Sequence, residues 1–234
     1  MRIDGHERQI GQLAWVMAWV GLVVGQLHAL ARFRTADGRA DIDPDNYPLT
    51  AAWAVPADDL LSPLLDWGDP DLVYVTYGKV WFPVFLAFTL CAAVVYRRRR
   101  PTGIEKWVWR TNIVVFSAIT LGVFLTYCTQ WTGNYEGNGV EPALFTVGTY
   151  IDFLGLGVML LAVTALGVTL LVKRFRPILP AVLLALQIPA AILIIQVTSL
   201  GSAALPVMFA FGILGRRIAR AESAVGSAPE PIPA

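Results

Sequence analysis

The sequence predicts an all-α protein: a polytopic membrane helix bundle of six transmembrane helices, with an outer-surface amphipathic helix between the first two. Three observations predict this class. Hydrophobic residues make up 56% of the chain and charged residues 15%, whereas a soluble domain carries about 25% charge. Several apolar runs reach the ~20 residues that cross ~30 Å of hydrocarbon. Basic residues follow these runs, as they do on the cytoplasmic side of membrane helices.

The first half of the chain contains three of the predicted spans. Residues 9–30 form the first, which we interpret as a retained helix because it is too long for a signal-peptide core. Residues 72–96 form the second, which ends at four consecutive arginines at positions 97–100. Residues 107–131 form the third, after a turn at Pro101. The arginines indicate that the second span ends in the cytoplasm.

The segment between the first two spans, residues 31–71, is polar and contains nine of the 11 aspartates. Within it, residues 58–67 place four leucines on one face of a helix and aspartates with a serine on the other. We expect this amphipathic helix to lie on the outer membrane surface. A loop helix packed on the bundle is the alternative interpretation.

The second half of the chain contains the fourth span, at residues 143–172, and one longer apolar stretch. That stretch makes either one span with a surface helix or two spans, at residues 178–197 and 201–215. Charge favours two, because only six spans place four basic clusters on one side. The clusters are Arg2 with Arg8; positions 97–100 with Lys106 and Arg110; positions 173–176; and Arg216, Arg217 and Arg220.

This topology predicts a multi-pass protein of the cell membrane with both termini cytoplasmic. Residues 1–220 form a single transmembrane bundle, and residues 221–234 are rich in Ser, Ala, Pro and Glu, which predicts a disordered cytoplasmic tail. Three arginines, at positions 32, 34 and 39, fall on the outer side in this arrangement.

Several chemistries are excluded by what the chain contains. Cys91 and Cys128 are predicted at opposite ends of their spans, beyond the ~7 Å between Cα atoms that a disulfide tolerates. His6 and His28 are the only histidines, too few for a bis-His haem or a membrane di-iron site. The sequence therefore predicts no metal and no cofactor. Because no solvated basic surface extends beyond the short clusters, nucleic acid is not an expected partner.

Two ionisable residues lie inside predicted spans at nearly the same depth, Lys79 in the second and Asp152 in the fourth. Counting from the outer boundary at ~1.5 Å per residue, Lys79 lies ~12 Å deep. Because such groups are costly in a membrane unless paired, we expect a Lys79–Asp152 salt bridge facing the bundle interior. Pro83 removes the hydrogen bond to the carbonyl of Lys79, which predicts an irregular second span at that point.

Other polar side chains occur at the same outer level and predict an outward-facing pocket. They are Gln26, His28, Tyr77, Tyr127, Gln130, Thr149 and Gln196. The leading hypothesis is that this pocket binds a membrane lipid or another apolar small molecule without catalysis. The alternative is a membrane enzyme that acts on a lipid or isoprenoid, for example a cyclase, with Asp152 as general acid or base tuned by Lys79. A purely structural ion pair is also compatible, and the oligomeric state stays open.

Overall fold

The computed structural model of the protein describes residues 5–133, 135 and 139–226, without the side chains of 222–226. Within this part the chain is helical and contains no strand. Five helical stretches are long and apolar enough to cross a membrane, and a sixth candidate consists of two short helices that meet at 61°. The predicted all-helical class is therefore confirmed, with five candidate membrane-spanning helices.

The helices follow the predicted order, with shifted ends. They are α1 (Glu7–Arg34), α2 (Pro48–Leu65), α3 (Pro70–Gly78), α4 (Trp81–Arg99), α5 (Gly103–Val123), α6 (Val140–Val172), α7 (Ile178–Ala185), α8 (Gln187–Ile195) and α9 (Leu205–Gly226). A π-helical turn, Phe124–Cys128, continues α5, and a 3₁₀ turn, Leu200–Ala204, precedes α9. Because α9 reaches Gly226, residues 221–226 are helical instead of part of a disordered tail. Residues 227–234 lie outside the described residues.

The second predicted span is interrupted, as Pro83 indicates. Helix α3 ends at Gly78 and α4 begins at Trp81. Proline lacks the amide hydrogen that would bond to the carbonyl of Lys79, and this carbonyl instead accepts from the amide of Phe82 at 3.3 Å. The interruption separates α3 from α4 while both helices pack against α1.

The first and last helices, α1 and α9, are in close contact through two glycines. A Cβ atom on Gly11 would lie 2.3 Å from the carbonyl oxygen of Gly215, and one on Gly215 would lie 2.5 Å from that of Gly11. Only glycine permits such an approach of two helix backbones. Beside this contact, the interior is filled by large buried side chains, among them Phe88, Trp109, Phe116 and Phe211.

Helix α2 covers the end of the bundle that the arginine run at 97–100 does not occupy. It is longer than the amphipathic helix predicted at residues 58–67. The guanidinium of Arg34, at the end of α1, binds the carboxylate of Asp58 at 2.6 and 3.1 Å. The indole nitrogen of Trp53 donates to the carbonyl of Val197, just after α8. Both contacts hold helix α2 on the bundle.

Candidate functional site

A cavity of about 600 Å³ lies beneath α2, at the end of the bundle away from the arginine run. Helices α1, α3, α4, α5 and α6 form its walls with the segment between α8 and α9. Its aromatic lining consists of Phe33, Tyr47, Tyr74, Trp81, Phe85, Tyr127, Tyr135, Phe145 and Phe153. Its polar and charged lining consists of His28, Arg32, Asp37, Asp41, Thr50, Thr126, Thr149, Asp152, Thr198 and Ser199.

His28 is buried among aromatic rings, and its contacts determine which ring nitrogen carries hydrogen. The indole nitrogen of Trp81 lies 3.1 Å from Nδ1. Since an indole N–H can only donate, Nδ1 accepts and Nε2 carries the hydrogen of a neutral ring. The ring stacks on Tyr74 at 4.8 Å and meets the edge of Tyr127 at 5.2 Å. Within the described residues Nε2 is buried and has no hydrogen-bond partner, so this donor is left unpaired.

Asp152, on α6, presents a buried acceptor. The hydroxyl of Thr126 donates to its Oδ2 at 3.0 Å, whereas Oδ1 is buried without a partner in the described part of the chain. Two features of α5 allow this arrangement. A Cβ atom on Gly122 would lie 2.3 Å from Oδ1, so only glycine leaves room for the carboxylate. Thr126 lies in the π-helical turn, an irregularity that is frequent at functional sites.

Unpaired polar atoms are concentrated on the residues of this cavity. Among the described residues, eight buried side-chain polar atoms lack a hydrogen-bond partner, and four of them belong to residues that line this cavity: His28 Nε2, Thr149 Oγ1, Asp152 Oδ1 and Ser199 Oγ. Each buried polar group left unpaired costs about 1–3 kcal/mol, and native interiors contain few of them. Their concentration at one cavity favours a bound molecule that supplies both donors and acceptors.

The predicted Lys79–Asp152 salt bridge is not formed, and that prediction is wrong. Among the described residues no ion pair includes Lys79 or Asp152. Instead, the ammonium of Lys79 lies 4.6 Å from the centroid of the Trp131 ring, a cation–π contact. The physical reason is the interruption after Gly78. It places Lys79 in a turn, where its direction no longer follows the helical phase from which a shared interior face was predicted.

The other predicted site residues divide into two groups. His28, Tyr127, Thr149 and Asp152 line the same cavity. Gln26, Tyr77, Lys79, Gln130 and Gln196 do not. Two of these residues bind the backbone of another segment. The hydroxyl of Tyr77 donates to the carbonyl of Leu64 at 2.7 Å, and the side-chain amide of Gln130 donates to the carbonyl of Glu141 at 2.9 Å. Such contacts indicate a structural role.

One wall residue escaped prediction because it lies in the loop before α6. The ring of Tyr135 stacks on Phe145 at 4.6 Å, and its hydroxyl donates to Oδ1 of Asp71 at 2.9 Å. Burial, and next the hydrogen bond to Asp71, raise the pKa of Tyr135 above its ordinary value. The hydroxyl therefore stays protonated and remains a donor. An aromatic residue in a glycine-rich loop was the available signal.

Comparisons of this chain with protein-family models, with curated proteins and with solved structures find no match. Within the described residues there is also no group of three or more His, Cys, Asp or Glu side chains that could hold a metal ion. The function is therefore inferred from the geometry of the cavity.

Proposed function

We propose that this chain is a multi-pass protein of the cell membrane whose cavity binds a lipid or another largely apolar small molecule without catalysis. The observation that carries the proposal is the set of four unpaired polar atoms among aromatic walls. The cavity of about 600 Å³ is within the ~300–1,000 Å³ typical of small-molecule sites. The bound molecule is amphiphilic, because the walls are mostly apolar while the unpaired atoms require polar partners.

The cavity lining suggests how each part of such a molecule is held. Its polar group accepts a hydrogen bond from Nε2 of His28 and donates one to Oδ1 of Asp152, whose free oxygen has no protein donor. Its apolar part packs on the deeper lining, which includes Phe85, Ile119 and Leu156. Binding energy then comes from apolar burial, and selectivity comes from the buried polar pair.

We propose the topology on a separate ground: α7 and α8 together form a fifth span, so that six spans leave both termini cytoplasmic. The run at 97–100, Lys173 and Arg217 then lie on one side, as the positive-inside rule requires. Leu60 and Leu64 of α2 are exposed, which fits contact of α2 with the outer membrane surface.

A reporter that is active only outside the cytoplasm tests this topology. It should be silent when fused after Arg220 and active when inserted in the loop before α6. Activity after Arg220 contradicts six spans.

Binding is tested by isolating the full chain from cell membranes in mild detergent and measuring retained small molecules by native mass spectrometry. We expect a molecule near one-to-one stoichiometry in the wild type and in Lys79→Gln, and a loss of about tenfold or more in Asp152→Leu. Lys79→Gln is the matched control, because it removes a charge from a neighbouring span without altering the cavity. An empty wild type, or equal retention in the two variants, contradicts the proposal.

A second candidate function, a membrane enzyme acting on a lipid or isoprenoid, rests on one observation. Asp152 presents a free carboxyl oxygen beside aromatic rings, as a general acid or base needs. Tyr77, one of the predicted pocket residues, does not line the cavity. Incubating the protein with the extracted membrane lipids separates the two functions. A product of changed mass that Asp152→Asn abolishes, with retention unchanged, assigns an enzyme.

A further inference from the structure

A second concave surface, the arginine groove, lies at the opposite end of the bundle from the cavity. It has a volume of about 520 Å³ and runs between the ends of α4 and α9 and the turn from α6 to α7. Four of its lining residues are arginines: Arg98, Arg99, Arg176 and Arg217. None of its lining residues within the described part is acidic. An anion is therefore the ligand that its charge fits.

The four arginines do not contribute equally to that charge. Arg98 binds Glu7, and Arg99 binds Glu105 while lying 5.0 Å from the ring of Phe175. The two glutamates fix the positions of these arginine side chains and neutralise most of their charge. Arg176 and Arg217 are exposed and form no ion pair with any residue whose side chain is described. The positive charge available to a ligand therefore lies on these two arginines.

The walls of the groove are apolar, which narrows the class of anion. Phe175 and Pro177 are partly exposed in it, whereas Leu214, Ile218 and Val95 are buried. A small soluble anion gains nothing from such walls, whereas an acyl chain buries apolar surface on them. The guanidinium group forms bidentate bonds with phosphate. The groove also lies at the ends of membrane-spanning helices, where lipid headgroups occur.

We infer that the arginine groove binds an anionic phospholipid. Its phosphate accepts hydrogen bonds from Arg176 and Arg217, and one acyl chain packs on Phe175 and Pro177. This site is independent of the cavity beneath α2, because the two surfaces share no lining residue. A failure of either proposal leaves the other intact.

The test titrates the detergent-purified full chain with dioleoyl phosphatidylglycerol and with dioleoyl phosphatidylcholine, and counts bound lipids by native mass spectrometry. We expect phosphatidylglycerol to bind about tenfold more tightly than phosphatidylcholine. Inorganic phosphate in tenfold excess should not displace the bound phosphatidylglycerol. Equal affinity for the two lipids overturns the inference, and so does displacement by phosphate, which would indicate a soluble-anion site. These measurements need no variant.

Variants then locate the site. The double change Arg176→Gln with Arg217→Gln should weaken phosphatidylglycerol binding by about tenfold and leave phosphatidylcholine binding unchanged. The matched control is Lys173→Gln with Arg220→Gln, which removes the same charge from the same two segments outside the groove. We expect the control to change affinity less than about twofold. Equal weakening in both pairs indicates general surface charge and overturns the inference.

Discussion

The two halves of this bundle contrast in how regular their helices are. In the half near the arginine run, α1 and α9 meet through glycine backbones, and aromatic rings such as Phe88 and Phe116 lie 5.1 Å apart. In the other half, the break between α3 and α4 directly precedes Trp81 of the cavity lining, and the π-helical turn and the 3₁₀ turn before α9 contribute residues to the same cavity.

The contrast teaches how a helical bundle keeps space open. Regular helices with small residues at their contacts pack to the density of a crystal and leave few voids. An interrupted helix changes direction and redirects its side chains, so neighbouring helices no longer fill the space between them. The cavity lies where three interruptions meet. Its polar atoms stay unpaired there, because no regular neighbour reaches them.

The largest effect that we predict tests the packed half. Gly11→Leu should destabilise the protein by about 3 kcal/mol or more, since its side chain would have to occupy the backbone of Gly215. The control is Gly157→Leu, on α6, where a Cβ atom meets no other atom within 4 Å. Thermal unfolding in detergent should separate the two variants clearly. Similar melting temperatures would refute the tight contact between α1 and α9.

An intermediate effect tests the cavity half. Asp152→Leu combined with Thr126→Val should stabilise the delipidated protein by about 1–3 kcal/mol, because the two changes remove a buried oxygen that has no partner together with the hydroxyl that Asp152→Leu alone would leave unpaired. Lys79→Met should add to this change within about 0.5 kcal/mol, since the two residues form no ion pair. A double-mutant cycle of chemical unfolding measures both quantities. A coupling energy above about 1 kcal/mol between Lys79 and Asp152 would indicate that the salt bridge does form.

The smallest effect sharpens the contrast at the edge of the cavity. Tyr135→Phe should cost about 1 kcal/mol of stability, because it removes the hydrogen bond to Asp71 and keeps the stacked ring. Tyr150→Phe is the control, as that tyrosine is exposed on α6, and it should change stability by less than about 0.5 kcal/mol. Equal effects would show that the wall formed by Tyr135 contributes nothing specific.

The depth of a residue along its span could be predicted from the sequence, but the side of the helix on which its side chain lies could not. Counting at ~1.5 Å per residue grouped His28, Thr149 and Asp152 by level, and all three line the cavity. The same count included Lys79 and Gln130, which point elsewhere. A residue's direction turns by about 100° with each position along a helix, so one break or π turn changes which side chains meet.

Unlike Tyr135, the cavity residues Trp81, Phe85 and Ser199 carried no signal that a single sequence provides. Trp81 and Phe85 belong to an apolar run in which every position suits lipid or protein contact. Trp81 became part of the site because its indole donates to His28. Ser199 lies in a segment that was predicted only as a turn between two spans. Contacts between segments so distant along the chain depend on tertiary packing, which hydrophobic periodicity does not encode.

The contact between Gly11 and Gly215 also constrains the order of biosynthesis. Helix α1 is synthesised before α9, so their contact cannot form until α9 has been made. During that time α1 can hold helices α3 and α4 but keeps one flank open. Insertion of α9 then covers this flank and makes Gly11 and Gly215 neighbours.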